Sequence, residues 1–386
     1  MSDTQSPQLG PVHYHAGAFP PRADSFDWHV LLPHVGPAAA AVARYDGILQ
    51  AMPNSGVLLS PLSTQEAVLS SRIEGTQASM TEVLEFEAGA AAESPERRED
   101  IHEILNYRRA MLEAERMLET LPVSRRVICR AHEVLLDSVR GAGKSPGEYR
   151  RVPNWIGPPG RGIEEARFVP PAAREIPDAM SRWERYANAS ADDVPDRLVQ
   201  LAVLHAEFEA LHPFLDGNGR VGRMLIPLLL WQWNMVERPH FYVSGFLEAH
   251  RSDYYEALLS VSRDRDWTTW TLFFMKALRA QAEENLAKAR GILGLYDELK
   301  TSIPKMTRSR YATPAVDWLF RRPVFSSTDF VRSADIPRPT ARRFLTVLRT
   351  NGVLKELVPP AGRRAALWVF PDLLNLAEGR KVFCAP

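Results

Sequence analysis

Apolar residues recur at helical spacing along most of this chain. The pattern begins near Pro37, with Ala38–Ala43 and Ile48. A Ser60-Pro61 pair opens a second helix that runs to about Arg72, and Gly75 marks its end. Residues 88–95 have the composition of a linker. Pro95 then starts a long amphipathic helix to about Leu121, and residues 124–139 predict another. Helical spacing returns at 174–189, 195–211, 219–236 and 251–262, and from about 267 to 299. Two stretches lack it. Residues 1–35, rich in Pro, Gly and His, predict either an extended arm packed on the body or partial disorder. Residues 140–171 are dense in Gly and Pro, with Tyr149, Trp155, Ile156 and Phe168 interspersed, and predict a β-hairpin or flap.

Residues 314–375 form a pattern of their own. Ala315–Phe320 is a short helix, Ser326–Asp329 offers the cap of a second, and Thr340–Thr350 is a third, closed by Asn351-Gly352. Two β-like runs follow, 353–358 and 365–370. Three helices and then a β-hairpin is the order of a winged helix-turn-helix. The fold expected is mainly α, in three parts: 1–110, 111–300 and 301–386.

Length agrees, since 386 residues exceed what one core usually supports. The first residues have no basic-then-apolar leader pattern, and the longest apolar run, 224–236, is too short to span a bilayer. No membrane role is expected. Cys129 and Cys384 have neither metal nor disulfide spacing, which points to a reducing cytoplasm. Net charge is zero but unevenly placed. Residues 301–386 carry 15 Lys and Arg against 6 Asp and Glu, net +9, and the remainder is net −9. The basic end therefore invites an anionic partner.

Chemistry concentrates in His212-Pro-Phe-Leu-Asp-Gly-Asn-Gly-Arg-Val-Gly-Arg223, between two helical patterns. Pro213 prevents the first helix from continuing, and Gly217 and Gly219 let backbone amides approach an anion. A helix starting near Gly219 aims its amides and dipole at the same point, which makes a phosphate cradle. Asp216 is a hard oxygen ligand of the kind Mg²⁺ takes. Arg220 and Arg223 lie three apart and suit two phosphate groups, and His212 is a base for an attacking hydroxyl.

These residues fit the motif HPFx(D/E)GNGRxxR, and the chain resembles the Fic (Fic/Doc) family of protein adenylyltransferases. Ser70-Ser71-Arg72-Ile73-Glu74-Gly75 resembles that family's inhibitory motif (S/T)xxxE(G/N). Gly147–Arg150 and Asn154–Gly157 resemble its flap, and Tyr254-Tyr255 its aromatic pair near adenine. The resemblance implies a helical Fic core with a β-hairpin flap, preceded by an inhibitory helix at about 60–75 and followed by the winged helix. It also implies AMP transfer from ATP, with Mg²⁺, to a hydroxyl side chain of a protein target, itself among the candidates, with pyrophosphate released. His212 would be the general base, Arg220 would stabilise developing charge and Asp216 would hold the metal. Gly217, Asn218, Gly219, Val221, Gly222 and Arg223 would line the triphosphate, with Tyr254, Tyr255, Ile156 and Gly157 around the nucleotide. Ser70, Glu74 and Gly75 would supply a brake, with Glu74 pairing with Arg223. Some relatives also remove AMP.

Plainer readings stand beside these. His205, Glu209 and His212 share a helical face, which suits either Zn²⁺ or a core histidine hydrogen-bonded near the site. One of two adjacent tyrosines is usually core, which leaves Tyr255 for the adenine. Trp155 and Ile156 either pack the hairpin or meet a ligand, while Glu66 and Asn106 are candidates to position the inhibitory helix. Arg338, Arg342, Arg343 and Arg349 lie on or beside the third C-terminal helix, where a DNA reader needs cations, and Arg363 and Arg364 fall at the wing tip. The same module also suits protein contacts, including a homodimer. The rival from another class is a winged-helix DNA-binding regulator whose Fic core senses nucleotide.

Overall fold

The structure, a computed structural model, describes residues 10–137, 142–158, 160–360 and 365–383. Arg363, Arg364 and Cys384 lie outside the described residues. Sixteen α-helices are formed among them, so the expected mainly helical fold holds. In chain order these are α1 (Trp28–Ala51), α2 (Ser55–Leu58), α3 (Ser60–Ile73), α4 (Met80–Glu87), α5 (Pro95–Leu118), α6 (Arg125–Leu135), α7 (Ile176–Ala187) and α8 (Arg197–Leu211). There follow α9 (Asn218–Gln232), α10 (Ser244–Ala249), α11 (Arg251–Asp264), α12 (Trp267–Thr307), α13 (Ala312–Arg321), α14 (Ser327–Ser333), α15 (Arg338–Thr350) and α16 (Pro371–Glu378). The strands are β1 (Val12–His13), β2 (Phe168–Val169), β3 (Val324–Ser326), β4 (Lys355–Val358) and β5 (Leu367–Val369). No described helix is long and apolar enough to cross a membrane.

The first helix begins nine residues before Pro37. The Asp27 carboxylate accepts from the amides of His29 and Val30 at 3.0 and 3.3 Å and caps α1, which then runs through Pro33 and Pro37. The extended arm is correspondingly shorter. Its β1 pairs in parallel with β2, Val12 opposite Phe168. The flap is a reduced hairpin whose arms meet at one antiparallel bridge between Ile156 and Phe168. Pro153, Pro158, Pro170 and Pro171 have no N–H to give, so the ladder cannot extend from that pair.

The chain divides into two compact units, residues 1–42 with 109–280 and residues 43–108 with 281–386. Each division falls inside a long helix: α1, α5 or α12.

In the first unit α8 is central, packed by α7, α9 and α11. Twelve of its fifteen residues are buried, so it is covered on nearly every side. Trp183 and Trp270, both fully buried, donate their indole N–H groups at 2.8 Å to the carbonyls of Leu204 and Ala202. Each ring thereby buries a large apolar face while its one polar atom is satisfied by α8 itself.

In the second unit α3 is packed by α13 and α16, and α4 by β3. The strands form one antiparallel sheet in the order β3-β5-β4, with Phe325 and Glu356 both opposite Trp368. The helix α4 has a full capping box between Ser79 and Glu82. The end of α3 is a Schellman motif. The amide of Gly75 donates to Arg72 O at 3.0 Å and that of Thr76 to Ser71 O at 3.2 Å, with Gly75 at φ +110°. Glu74 is therefore the C-cap and is exposed, while Ser70 and Ser71 are fully buried. Gly75→Ala should destabilise the chain by about 1 kcal/mol, because alanine at that φ is strained although space is open. An unchanged denaturant midpoint would contradict this account of the α3 end.

Candidate active site

Helix α8 delivers His212. Its start is fixed by Asp196, whose carboxylate accepts from the amides of Leu198 and Val199 at 2.7 and 3.0 Å. Its end is His212 itself, held left-handed at φ 46°, ψ 59°. That conformation costs a non-glycine residue roughly 1–2 kcal/mol, so it persists only where the surroundings impose it. Here the His212 amide donates to Phe208 O at 3.1 Å, and Arg150 Nε donates to His212 O at 2.9 Å. The ring's Nδ1 lies 3.3 Å from Glu209 O. A carbonyl only accepts, so Nδ1 carries the proton and Nε2 is the basic nitrogen of the neutral ring.

The loop between α8 and α9 is closed on Phe214. Asn218 uses both ends of its amide on that residue's backbone: Oδ1 accepts from Phe214 N at 2.8 Å, and Nδ2 donates to Phe214 O at 2.9 Å. Asn154 from the flap donates to the same carbonyl at 3.1 Å. The Phe214 ring is fully buried and stacks on His132, with centroids 3.7 Å apart and planes 9° apart. His132 then ties the loop's far end. Its Nδ1 accepts from the Gly147 amide at 2.9 Å, so its Nε2 carries the proton and donates to Asp216 O at 3.0 Å. Burial pushes the His132 pKa down to about 4, which keeps this donor–acceptor arrangement at neutral pH.

Arg150 braces the other side. It is 2% exposed and gives guanidinium hydrogen bonds to the carbonyls of Leu211, His212 and Pro171. These include the open carbonyls at the end of α8, where a cation also suits the helix dipole. Burial lowers its pKa to about 10, so it remains charged.

Helix α9 begins at Asn218 after Gly217, which is left-handed at φ 76°. A side chain at Gly217 would press on Leu135 and His132 at 3.3 and 3.5 Å. The first turn of α9 presents its amides beside His212 and Asp216. The Asp216 carboxylate accepts from the Gly217 amide at 2.6 Å and lies 3.4 Å from Arg220 Nη2. Its side chain is 45% exposed while that of Arg220 is 5%, so the carboxylate is reachable from solvent. Arg223 is buried one turn further on. Gly222 lies against α8, where a Cβ would strike Glu209 and press on Phe208, so it permits close helix crossing.

Behind the loop, His205 Nε2 is 2.8 Å from the hydroxyl of fully buried Tyr254, and its Nδ1 is 3.3 Å from Gly222 O. Burial, and then the positive charge of Arg223, push its pKa down to about 3. His205 is thus a core histidine. Its Nε2 also lies 4.0 Å from Glu209 Oε1, and no cluster of three metal-binding side chains occurs among the described residues. Tyr255 is half-buried, with Arg251 5.7 Å from its ring centre.

Comparison with known proteins bears on this geometry. A model described as Fic/DOC family N-terminal matches residues 32–116, and one described as Fic/DOC family matches residues 122–230. The chain belongs to the Fic/DOC family. It is 29% identical over 140 residues to a protein named protein adenylyltransferase Fic from Culex quinquefasciatus, covering 36% of this chain and 23% of that protein. To the protein of the same name from Drosophila melanogaster it is 31% identical over 84 residues, covering 22% of this chain and 15% of that one. The chain thus spans less than a quarter of these curated relatives. The crystal structure of a Fic family protein from Desulfovibrio desulfuricans G20 matches 88% of this chain and 96% of its own, with a TM-score of 0.55 at 20% identity. A Fic domain-containing signaling protein from Bacteroides thetaiotaomicron VPI-5482 matches 67% of this chain and 97% of its own, with a TM-score of 0.50 at 20% identity.

Within the Fic motif, one hydrogen-bonded segment brings together His212, Phe214, Asp216, Asn218 and Arg220. Val221 and Gly222 face the interior and Gly219 is half-buried. In the flap, Ile156 supplies the bridge, and Gly157 is needed because a Cβ would sit 3.0 Å from Ala166 Cα. Ser70, Glu74 and Gly75 belong to the other unit. Sequence patterns missed His132 and the bracing role of Arg150. The Arg150 residue stands in the Gly147–Arg150 run, but nothing near His132 marks it as a partner of Asp216.

Unfolded, His132 takes up a proton near pH 6.5; folded, it does so near pH 4. Only the unfolded state binds that proton in between, so stability is full above pH 6.5 and falls toward pH 4, by on the order of 3 kcal/mol. Thermal unfolding followed over this range should decline less steeply in His132→Gln than in the wild type. Equal slopes would show that His132 does not carry the effect.

Proposed function

We propose that this chain is a protein adenylyltransferase with a built-in brake. The observation that carries the proposal is the enforced left-handed His212, with basic Nε2, beside the amide end of α9. In this reaction a Ser, Thr or Tyr hydroxyl of a protein attacks the α-phosphorus of ATP. The bond to the oxygen bridging the β-phosphorus breaks, pyrophosphate leaves, and the hydroxyl proton passes to His212 Nε2. Such catalysis rests on positioning and on charge stabilisation. The curated relatives named adenylyltransferases support the choice of reaction.

The α9 amides and Gly219 would take the phosphates, with Arg220 on the developing charge and Arg223 on the γ-phosphate. Asn218, whose amide closes the loop, would act chiefly by shaping it. One solvent-facing carboxylate, Asp216, fits Mg²⁺, which keeps several waters and takes its other ligands from substrate phosphates. The metal would supply charge neutralisation at the phosphates. Tyr255, the more exposed of the pair, is assigned to the adenine and Tyr254 to the core. The flap at Ile156 would seat the target segment by strand addition.

Glu74 would compete with the γ-phosphate for Arg223. Arg223 is buried and Glu74 exposed, so the carboxylate would bring the acceptor to a desolvated guanidinium. AMP removal, with Glu74 orienting water, is part of the same proposal.

A second reading concerns the C-terminal segment, where α13 to α15 and the β4–β5 pair follow the order of a winged helix. Arg338 and Arg342 on α15 are exposed and hold no partner among the described residues. Arg343 instead donates to Thr307 O at 2.9 Å, and Arg349 lies 3.5 Å from Glu356 and over Trp368. We propose duplex DNA for this face.

With α-labelled ATP and Mg²⁺, Glu74→Gly should label itself at least about tenfold faster than wild type. Adding His212→Ala should cut that labelling by about 10²–10⁴. Equal rates in wild type and Glu74→Gly would end the brake, and label surviving His212→Ala would end the transfer mechanism. Generic duplex should bind at low salt and weaken as salt rises, more weakly still in Arg338→Ala/Arg342→Ala. No binding at low salt would dismiss the DNA reading.

A further inference from the structure

The second unit contains a buried polar seat for α3. Along α12, Gln281, Asn285 and Lys288 fall at i, i+4 and i+7, on one helical face, and are only 3%, 3% and 8% exposed. Gln281 Nε2 donates to Asn285 Oδ1 at 3.0 Å. Lys288 Nζ donates to Gln65 Oε1 on α3 at 2.8 Å and pairs with Glu284 at 2.7 Å. Ammonium groups are seldom buried, because removal from water is costly unless hydrogen bonds compensate. An apolar seat would hold α3 equally well but would tolerate sliding. A single buried polar contact specifies one register.

The C-terminal segment closes the same seat. Helix α16 packs on α3, and its Leu376 approaches Gly291 of α12 so closely that a Cβ there would lie 2.8 Å away. Gly379, the left-handed cap of α16, lies against Lys288, where a Cβ would meet Cε at 3.2 Å. Helix α13 packs on α3 as well, and Tyr296 of α12 donates to Asp317 of α13 at 2.6 Å. Thus α12, α13 and α16 all act on the one helix whose C-cap is Glu74. That helix is short, stiff and sharply ended, so a change at Gln65 is carried along it to Glu74.

We propose that Lys288 is a positioning residue for the brake: by fixing the register of α3 through Gln65, the α12–α16 seat sets how strongly Glu74 inhibits. This rests on the reading of Glu74 as the inhibitory residue. It adds that the strength of inhibition is decided by a C-terminal contact remote in sequence, which a ligand of that segment would be able to loosen.

The test is self-labelling of the full chain with α-labelled ATP in wild type, Lys288→Met, Glu74→Gly and the double variant. Lys288→Met should raise wild-type labelling by about fivefold or more, the scale of a coupling between sites, and should add nothing to Glu74→Gly. Lys288→Arg, which keeps a donor to Gln65, should stay near the wild-type rate. Gln65→Leu removes the contact from the other side and should activate like Lys288→Met; it decides the matter if Lys288→Met melts too low to assay. Activation by Glu74→Gly but by neither seat variant overturns the inference and leaves the brake standing. A seat variant that changes labelling by the same factor with and without Glu74 also overturns it, since that is a merely structural effect. No activation by Glu74→Gly defeats the underlying reading itself.

Discussion

The site depends on the reciprocal hydrogen bonds between the Asn218 side chain and the Phe214 backbone. They close the turn that leaves α8 left-handed at His212 and enters α9 left-handed at Gly217. Gly217 takes its conformation readily, but His212 has no glycine's freedom and is held there by its surroundings. The turn holds because its apolar core, Phe214 stacked on His132, is buried while its polar atoms are paired. A loop that merely joined two helices would not need so many independent ties.

Those ties come from distant stretches of sequence. His132 arrives on α6, Arg150 and Asn154 from the flap, and all three end on backbone carbonyls of residues 211–216. Backbone atoms are therefore what these three side chains hold, and the Asp216 carboxylate stays reachable from solvent. The close crossing of α8 and α9 at Gly222 serves the same end, because it sets the distance between the residue ending one helix and the amides opening the next.

This division explains what the sequence made legible. His212, Asp216, Asn218, Arg220 and Arg223 lie within twelve consecutive residues, so their chemistry is visible as a string. The helices bearing them were visible from periodicity, and so was the end of α3 from Gly75. His132 was not, because a single histidine on an amphipathic helix looks the same whether it faces a loop carbonyl or solvent. The start of α1 was missed because Pro33 and Pro37 argue against a helix, while Asp27 capping and tertiary packing decide for one. Helix α4 went unnoticed although Ser79-x-x-Glu82 is a capping box in plain view; its eight residues are too few for periodicity to register. The flap was legible as a hairpin or flap from aromatic residues set between glycines and prolines, but not its reduction, among the described residues, to the Ile156–Phe168 bridge.

The second unit shows how a carboxylate at a helix end is held in place. At the C-cap Glu74 is the last residue whose position the helix fixes, and Gly75 reverses the chain immediately beyond it. Its location is then set by the body of α3, which is buried along most of its length, with Glu66 reached by Tyr107 at 3.4 Å and Gln65 held by Lys288. Carboxylates on loops adjust to whatever approaches them. One fixed by a buried helix either meets its partner or does not, and moving it requires moving the helix. The polar stripe on α12 makes that movement a discrete break, because Lys288, though also paired with Glu284 on its own helix, loses its hydrogen bond to α3 if the two helices slide.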